Sequence, residues 1–286
     1  MTPPAKEPLQ ILAPNPSPLT GPGTTTFLLG DSHVAVIDPG PDDPAHIDAV
    51  ARAGRGRISH ILITHAHRDH SAGAARLSRL TGAPVLAFGD ALAGRSPLMS
   101  RLALEGLGGG EGLDHAFAPD RHLRDQEVIT TPDWSLTAWH TPGHAAGHLS
   151  FQWGDRIFCG DLVMGWSSTL IPPPDGDLAE YFRSLERLAA LSPRVLLPTH
   201  GPAITAPLDR IAELARHRRD RTSQILAALR VRPDSAAGLA RRIYAVPEPV
   251  LPIATRNVLA HLIALSQIGA IDFPGVLTIE TVFSTG

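Results

Sequence analysis

The sequence predicts a layered α/β fold followed by a small helical module, and three observations carry that prediction. Short apolar, β-branched runs alternate with helical patterns between residues 25 and 198. From about residue 208 the texture changes to three successive amphipathic helical patterns. Several apolar runs also end on His or Asp, where a buried strand gives way to a loop.

The strands come first. TTFLLG (25–30) and HVAVID (33–38) form a hairpin through Asp31-Ser32, and DPGPDDP (38–44) turns the chain into the helical pattern AHIDAVARA. The run ISHILI (58–63) leads into THAHRDH (64–70), then a helix over 72–80 and a strand at VLAF (85–88). Residues 93–125 read as an irregular, flexible insertion or lid containing GLGGGEGLDH (106–115). Strands return at 136–140, 149–153 and 156–160, followed by a helix over 178–191 and a strand at 194–198. The long helix starting at Leu208, helices over 235–244 and 253–266, and a tail hairpin around Pro274-Gly275 suggest a winged-helix-like module. The expected division is a catalytic domain over residues 1–207 and a C-terminal domain over 208–286.

Composition narrows the function. A chain of 286 residues with 43% hydrophobic content can bury a sizeable core. A formal charge of −3 gives no global pull toward nucleic acid or an anionic membrane. The single cysteine, Cys159, excludes an internal disulfide framework and suits a reducing cytoplasm. The opening MTPPAKEPLQ has no signal-peptide pattern, and no apolar run of about 18 residues suggests a membrane span.

The 14 histidines are the outlier. THAHRDH, TPGHAAGH (141–148), CGD (159–161) and PTHGP (198–202) each place His or Asp at a strand end. Strand ends of a layered α/β protein share one rim, so His65, His67, His70, His144, His200, Asp69 and Asp161 can meet. In an extended loop His65 and His67 point to one side and can share a cation, while Asp69 and His70 turn toward a neighbouring one. Asp161 has two oxygens with which to bridge both. Imidazole and carboxylate donors suit two divalent cations, zinc first, with iron or manganese also accepted. His148, His60 and Asp38 read as partners that orient those ligands. His33, His46, His115, His122, His140 and His261 carry no expected role. Cys159 reads as a buried structural thiol inside its strand.

HAHRDH, TPGHAAGH, CGD and PTHGP, in that order, resemble the metallo-β-lactamase-fold hydrolases. The resemblance implies an αββα sandwich with a binuclear site at one edge of its sheets. It implies that His65, His67 and His144 hold one metal, that Asp69, His70 and His200 hold the other, and that Asp161 bridges. NPSPLTGPGTTTFLLG (15–30) and HRRDRTSQIL (217–226) also resemble the beta-lactamase-like protein 2 group. Here Thr25-Thr26-Phe27 replaces that group's Asn-Thr-Tyr, which removes an amide and a phenol.

Two cations about 3.5–4 Å apart supply hydroxide at neutral pH and polarise the group under attack. Asp69 and Asp161 are the expected catalytic carboxylates, fixing the attacking hydroxide between the metals. The nearest resembling group implies a phosphodiesterase acting on single-stranded RNA, which RHRRDR (216–221) would help to bind. The alternative is a thioester, ester or lactone hydrolase, with a pocket formed by the 93–125 insertion, Trp166 and IPPP (171–174). A non-catalytic winged-helix nucleic-acid-binding protein is the third reading, disfavoured by the intact donor set and by a tail without a base-reading helix. The C-terminal module is expected to shape the substrate channel or to form a homodimer interface.

Overall fold

The computed structural model describes residues 7–109 and 112–285, so residues 110 and 111 of the glycine-rich run lie outside the described residues. Six strands form the first sheet: β1 (Leu9–Leu12), β2 (Thr25–Leu29), β3 (Val34–Ile37), β4 (Ile58–Leu62), β5 (Val85–Ala87) and β6 (Arg121–His122), in that spatial order. β1 to β3 are antiparallel neighbours, and β3 to β6 run parallel. The second sheet holds β7 (Glu127–Thr130), β8 (Ser135–His140), β9 (Leu149–Trp153), β10 (Arg156–Gly160) and β11 (Val195–Pro198), in the order β11-β10-β9-β8-β7.

Helices α1 (Pro44–Ala53), α2 (Arg68–Ser71), α3 (Ala74–Thr81), α4 (Pro97–Leu104), α5 (Leu178–Ala190), α6 (Pro207–Val231), α7 (Ala236–Ile243) and α8 (Leu251–Gln267) complete the frame. Their starts are written locally. Asp43 Oδ1 accepts from His46 N at 2.7 Å with Pro44 opening α1, and Asp177 caps Ala179 N and Glu180 N at the start of α5.

Period-two alternation builds the layers. On β3, Val34 and Val36 face a core with Ile47, Val50 and Leu77 of α1 and α3, while Ala35 and Ile37 face the other sheet. On β10, Phe158 faces that intersheet core, where it meets Phe27 edge-on at 5.1 Å. Its neighbours Ile157 and Cys159 face α5 and α6. The layers are therefore helix, sheet, sheet, helix. Cys159 is buried on the helix side, its Sγ donates to the Val163 carbonyl, and burial pushes the thiol's pKa up. It is structural, as expected.

The C-terminal helices share their own core, which includes Ile225, Leu239, Leu259 and Phe283. α6 is common to both parts, since Ile211 and Leu214 pack on the sandwich while Ile225 and Leu229 pack on α7 and α8. The stretch Glu248–Gln267 passes a membrane-span test on length and composition, yet most of it is buried inside the protein. Leu262 faces the C-terminal core and Ala260 faces the sandwich, so α8 is apolar because both its sides are covered.

Three expectations need correction. The 93–125 stretch is not all irregular: Ser96 caps α4, and Met99 and Leu102 join the C-terminal core, so this helix braces the two parts. Strands β1 and β7, short and at or near sheet edges, were not anticipated. The tail does not form a hairpin centred on Pro274-Gly275. Asp272 bridges Ser284, while β13 (Val282–Phe283) pairs with β12 (Asp234–Ser235) between α6 and α7, because Phe283 is drawn into the helical core.

His261, fully buried on α8, has a structural role the sequence did not reveal. The Thr222 hydroxyl donates to the Arg218 carbonyl, so its oxygen accepts from His261 Nδ1–H at 2.8 Å, and Nε2 keeps a lone pair without a partner. Burial, then the nearby Arg218 charge, pushes the imidazole down from 6.5 to about 3. The unfolded chain thus binds a proton that the folded chain refuses. The contribution of His261 to stability is intact above pH 6.5 and declines as the pH falls from 6.5 toward 3. Urea unfolding of metal-free protein should lose stability over that window, and His261→Leu should flatten part of the loss. Identical pH slopes in both proteins would contradict the assignment.

Candidate metal centre

All seven donors expected from the sequence come together on one rim of the sandwich. His65 and His67 follow β4, and the single turn α2 swings Asp69 and His70 to the same place. His144 lies between β8 and β9, Asp161 follows β10, and His200 follows β11. Donor atoms of His65, His67 and His144 lie within 4.8 Å of one another, as do those of Asp69, His70 and His200 and those of His65, His70 and Asp161.

The first cluster is made of neutral nitrogens. His65 Nε2 and His144 Nε2 lie 2.9 and 3.0 Å from His67 Nδ1. Burial, with neighbouring imidazoles adding to it, holds His65 well below its ordinary pKa and takes His67 down to about 3. Burial also lowers His144. Two of these nitrogens, His65 Nε2 and His144 Nε2, turn lone pairs toward His67 Nδ1, and a divalent cation could take the place of the proton that His67 Nδ1 would otherwise share with them.

The second cluster is charged. His200 Nε2 lies 3.2 Å from Asp69 Oδ2 and 3.3 Å from Asp161 Oδ2, and His70 Nε2 lies 3.3 and 3.6 Å from the same two oxygens. Burial alone would lower these imidazoles, but the carboxylates outweigh it. His200 rises to about 10, and His70 is held well above its ordinary value. Asp161 Oδ2 also lies 3.7 Å from His144 Nε2, so this oxygen touches both clusters. Asp161 Oδ1, His70 Nε2 and His67 Nε2 are buried without a hydrogen-bond partner among the described residues. Such orphaned atoms are costly in a folded protein, and a divalent cation would satisfy His70 Nε2, which faces the carboxylates of Asp69 and Asp161.

Hydrogen bonds behind the donors select their tautomers. Nδ1–H of His144 donates to the Leu170 carbonyl at 2.7 Å, and Nδ1–H of His200 to the Gly23 carbonyl at 3.1 Å. His70 Nδ1–H donates to Asp38 Oδ2 at 3.0 Å. Thr64 Oγ1 donates to Asp38 Oδ2 at 2.7 Å and accepts from His65 Nδ1–H at 3.0 Å. Four imidazoles therefore commit Nδ1–H to the protein and turn Nε2 toward the cleft. Asp38 is the hub of this arrangement, fully buried at a positive φ of 49°, and it also accepts from Thr64 N and the Thr199 hydroxyl.

His148 plays the orienting part expected of it. Its Nδ1 meets the Thr141 hydroxyl at 3.0 Å, and its Nε2 accepts from Asp161 N at 3.3 Å. Gly160, at φ +48°, permits this, because a Cβ there would sit 2.5 Å from His148 Nε2. His60 does not take part. It bonds Ser59 and stacks edge-on with Trp134 at 5.2 Å, since it lies inside β4 whereas the donors follow the end of that strand. His46, left without a role, is buried against Thr26 Oγ1 at 2.9 Å.

Some partners were not foreseen. Thr24 Oγ1 donates to Asp69 Oδ2 at 3.1 Å, and Asn15 holds Thr24 through both its amide atoms. The recurring Thr-His pairs at 64–65 and 199–200 were the available signal. Thr25, Thr26 and Phe27 are buried within β2, so the departure at those positions falls in the interior.

A cavity of about 390 Å³ opens over the donors. Leu19, Met164 and Trp166 line it on the sandwich side, and Tyr244, Val246, Val250 and Ile253 line it from the C-terminal helices. Gly112 is its only lining residue from the 93–125 insertion among those described, and Ile171 is packed in the core instead, so neither the insertion nor IPPP forms the expected wall.

A sandwich that gathers five imidazoles and two carboxylates beneath a cavity is the framework of a metal-dependent hydrolase. The model of the metallo-beta-lactamase superfamily matches residues 19–200, and the chain belongs to that superfamily. A beta-lactamase-like protein 2 homolog of Drosophila melanogaster is 30% identical over 91% of this chain and 88% of its own. An atrochrysone carboxyl ACP thioesterase of Aspergillus fumigatus is 28% identical over 77% of this chain and 61% of its own. The crystal structure of a metallo-beta-lactamase family protein from Thermus thermophilus superposes with a TM-score of 0.79 at 25% identity, covering 98% of each chain.

Asp38→Asn keeps the shape of the hub but weakens its grip on His70 and Thr64. Its affinity for zinc, measured by competition with a chromophoric chelator, should fall by ~10–100-fold while the circular dichroism is retained. Wild-type affinity in this variant would refute the role given to Asp38.

Proposed function

We propose that the protein hydrolyses carboxylic thioesters or esters with a largely apolar acyl group, using two divalent cations, zinc first. The observation that carries this reading is the cavity above the donors, whose lining includes apolar side chains from both parts of the chain and no Lys or Arg among the described residues. A polyanionic RNA strand would need cations along its path. Of the four arginines in RHRRDR, Arg218 is buried, and Arg221 lies over the Tyr244 ring at 3.8 Å and donates to the Ile243 carbonyl. Half of that basic cluster is thus committed to packing. The thioesterase among the similar chains supports the same choice.

In this reading His65, His67 and His144 would hold one cation, Asp69, His70 and His200 would hold the other, and Asp161, whose Oδ2 lies near both clusters, would serve either. Cations bound there would supply polarisation of the substrate carbonyl and a water nucleophilic at neutral pH. Asp69 is the less buried carboxylate, its side chain 27% exposed, and it lines the cavity. Thr24 and His200 anchor its Oδ2, and this carboxylate is placed to take the proton of the attacking water. Water oxygen bonds to the carbonyl carbon, and the carbon–sulfur bond breaks. A thiolate, with a parent pKa of ~8.5, leaves without a dedicated proton donor. Apolar walls from Trp166 and Ile253 exclude bulk water around the acyl group.

We further infer that residues 208–286 form a winged-helix-like unit whose present use is as a wall of this cavity. Three helices and the β12–β13 ribbon support the likeness, and Tyr244 and Ile253 support the use.

Metal-loaded protein should turn over acyl thioesters at a rate insensitive to salt between low and physiological ionic strength. Asp161→Ala should lose more than the ~100-fold typical of removing an outer partner. Cleavage of a fluorogenic single-stranded RNA that falls steeply with salt, with thioesters untouched, would replace this reading by the phosphodiesterase one.

A further inference from the structure

The C-terminal helices place a side-chain amide in the cavity that the hydrolytic reading does not use. Arg218 on α6 is 1% exposed and has no acidic partner among the described residues. Its Nη2 donates to the Thr169 carbonyl, and its Nη1 donates to Asn257 Oδ1 at 3.2 Å. The same Asn257 oxygen accepts from Ile171 N at 3.2 Å. Two donors on one oxygen settle which way the amide points. Oδ1 belongs to the protein side, and Nδ2 is left over.

Asn257 on α8 is 9% exposed and lines the cavity, and its Nδ2 makes no hydrogen bond among the described residues. Around it on that wall stand Val246, Val250, Ile253 and Ala254. Apolar pockets take their selectivity from a few fixed polar groups of this kind. The amide is also tied to the reacting end. Ile171 N holds Asn257, and the adjacent Leu170 carbonyl orients His144.

We propose that Asn257 Nδ2 donates a hydrogen bond to an oxygen carried by the substrate's acyl group, away from the bond that is cut, and that Arg218 is the positioning residue that holds the amide in place. This rests on the thioester and ester reading above and narrows it to acyl groups bearing a ketone or hydroxyl. A saturated acyl group would cover that donor without pairing it and is selected against.

Asn257→Asp isolates the donor. A carboxylate there still accepts from Arg218 and Ile171 N, but it offers the cavity an acceptor in place of N–H. The experiment compares a β-keto acyl thioester with the saturated thioester of equal length on metal-loaded protein. Wild type should favour the ketone by ~10-fold or more in kcat/KM, mostly through KM. In Asn257→Asp the ratio should fall to about one or below, with metal content and melting temperature retained. A packing role would slow both substrates together and keep the ratio, and that result overturns the proposal, as does a wild-type ratio near one.

A second arm needs neither turnover nor a variant. Calorimetry on wild type uses thioether analogues in which a methylene replaces the scissile carbonyl, one with the ketone and one without. The ketone analogue should bind ~10-fold more tightly. Equal affinities overturn the proposal. Discrimination between these analogues without cleavage of any thioester sustains Asn257 and counts against the hydrolytic reading instead.

Discussion

Buried imidazoles that turn lone pairs toward one point, beside carboxylates that need positive charge, call for cations among them, and the molecule is built around that constraint. Three nitrogens of His65, His67 and His144 meet within 3.0 Å contacts, and two carboxylates face His70 and His200 a few ångströms away. The two clusters solve the same problem in different ways. One is kept neutral by burial, and the other holds protons on imidazoles to balance Asp69 and Asp161. Divalent cations would meet both needs, supplying charge to the first cluster and taking the place of protons in the second.

The surrounding fold serves this arrangement. Strand ends from both sheets deliver the donors, and the groups behind them are fixed by strand register and by two unusual backbone conformations, at Asp38 and Gly160. Asp38 couples the first sheet to the histidine loop and to Thr199 beyond β11, so the two sheets are locked together at the point where the donors meet. The C-terminal helices enter the same design through the cavity wall and through Arg218 and Asn257, which grip the segment that orients His144.

Much of this was legible in the residues. The strand-end histidines and aspartates, the short apolar strands and the three late helices all carry strong local signals. The rest depends on partners distant in the chain. His60 has the same residue type and neighbourhood as a ligand-orienting histidine, but its place inside β4, short of the strand's end, sets it against Trp134. His261 sits in an ordinary-looking helical stretch and Arg218 in a cluster that reads as a basic surface, and only the packing of α6 on α8 buries them. The wall of the cavity follows the expectation at Trp166 and the C-terminal helices but departs from it at the 93–125 insertion and IPPP. Composition marked the 93–125 insertion as loose, while the apolar face of α4 was destined for the helical core. Phe283 likewise decided the course of the tail through a contact no local pattern encodes.

The central claim is that seven side chains form one site for two cations. Elemental analysis of the full-length protein, saturated with zinc and dialysed against metal-free buffer, tests it directly. The account predicts about two zinc ions per chain. A ratio at or below one, with the fold and all seven donors intact, would contradict it.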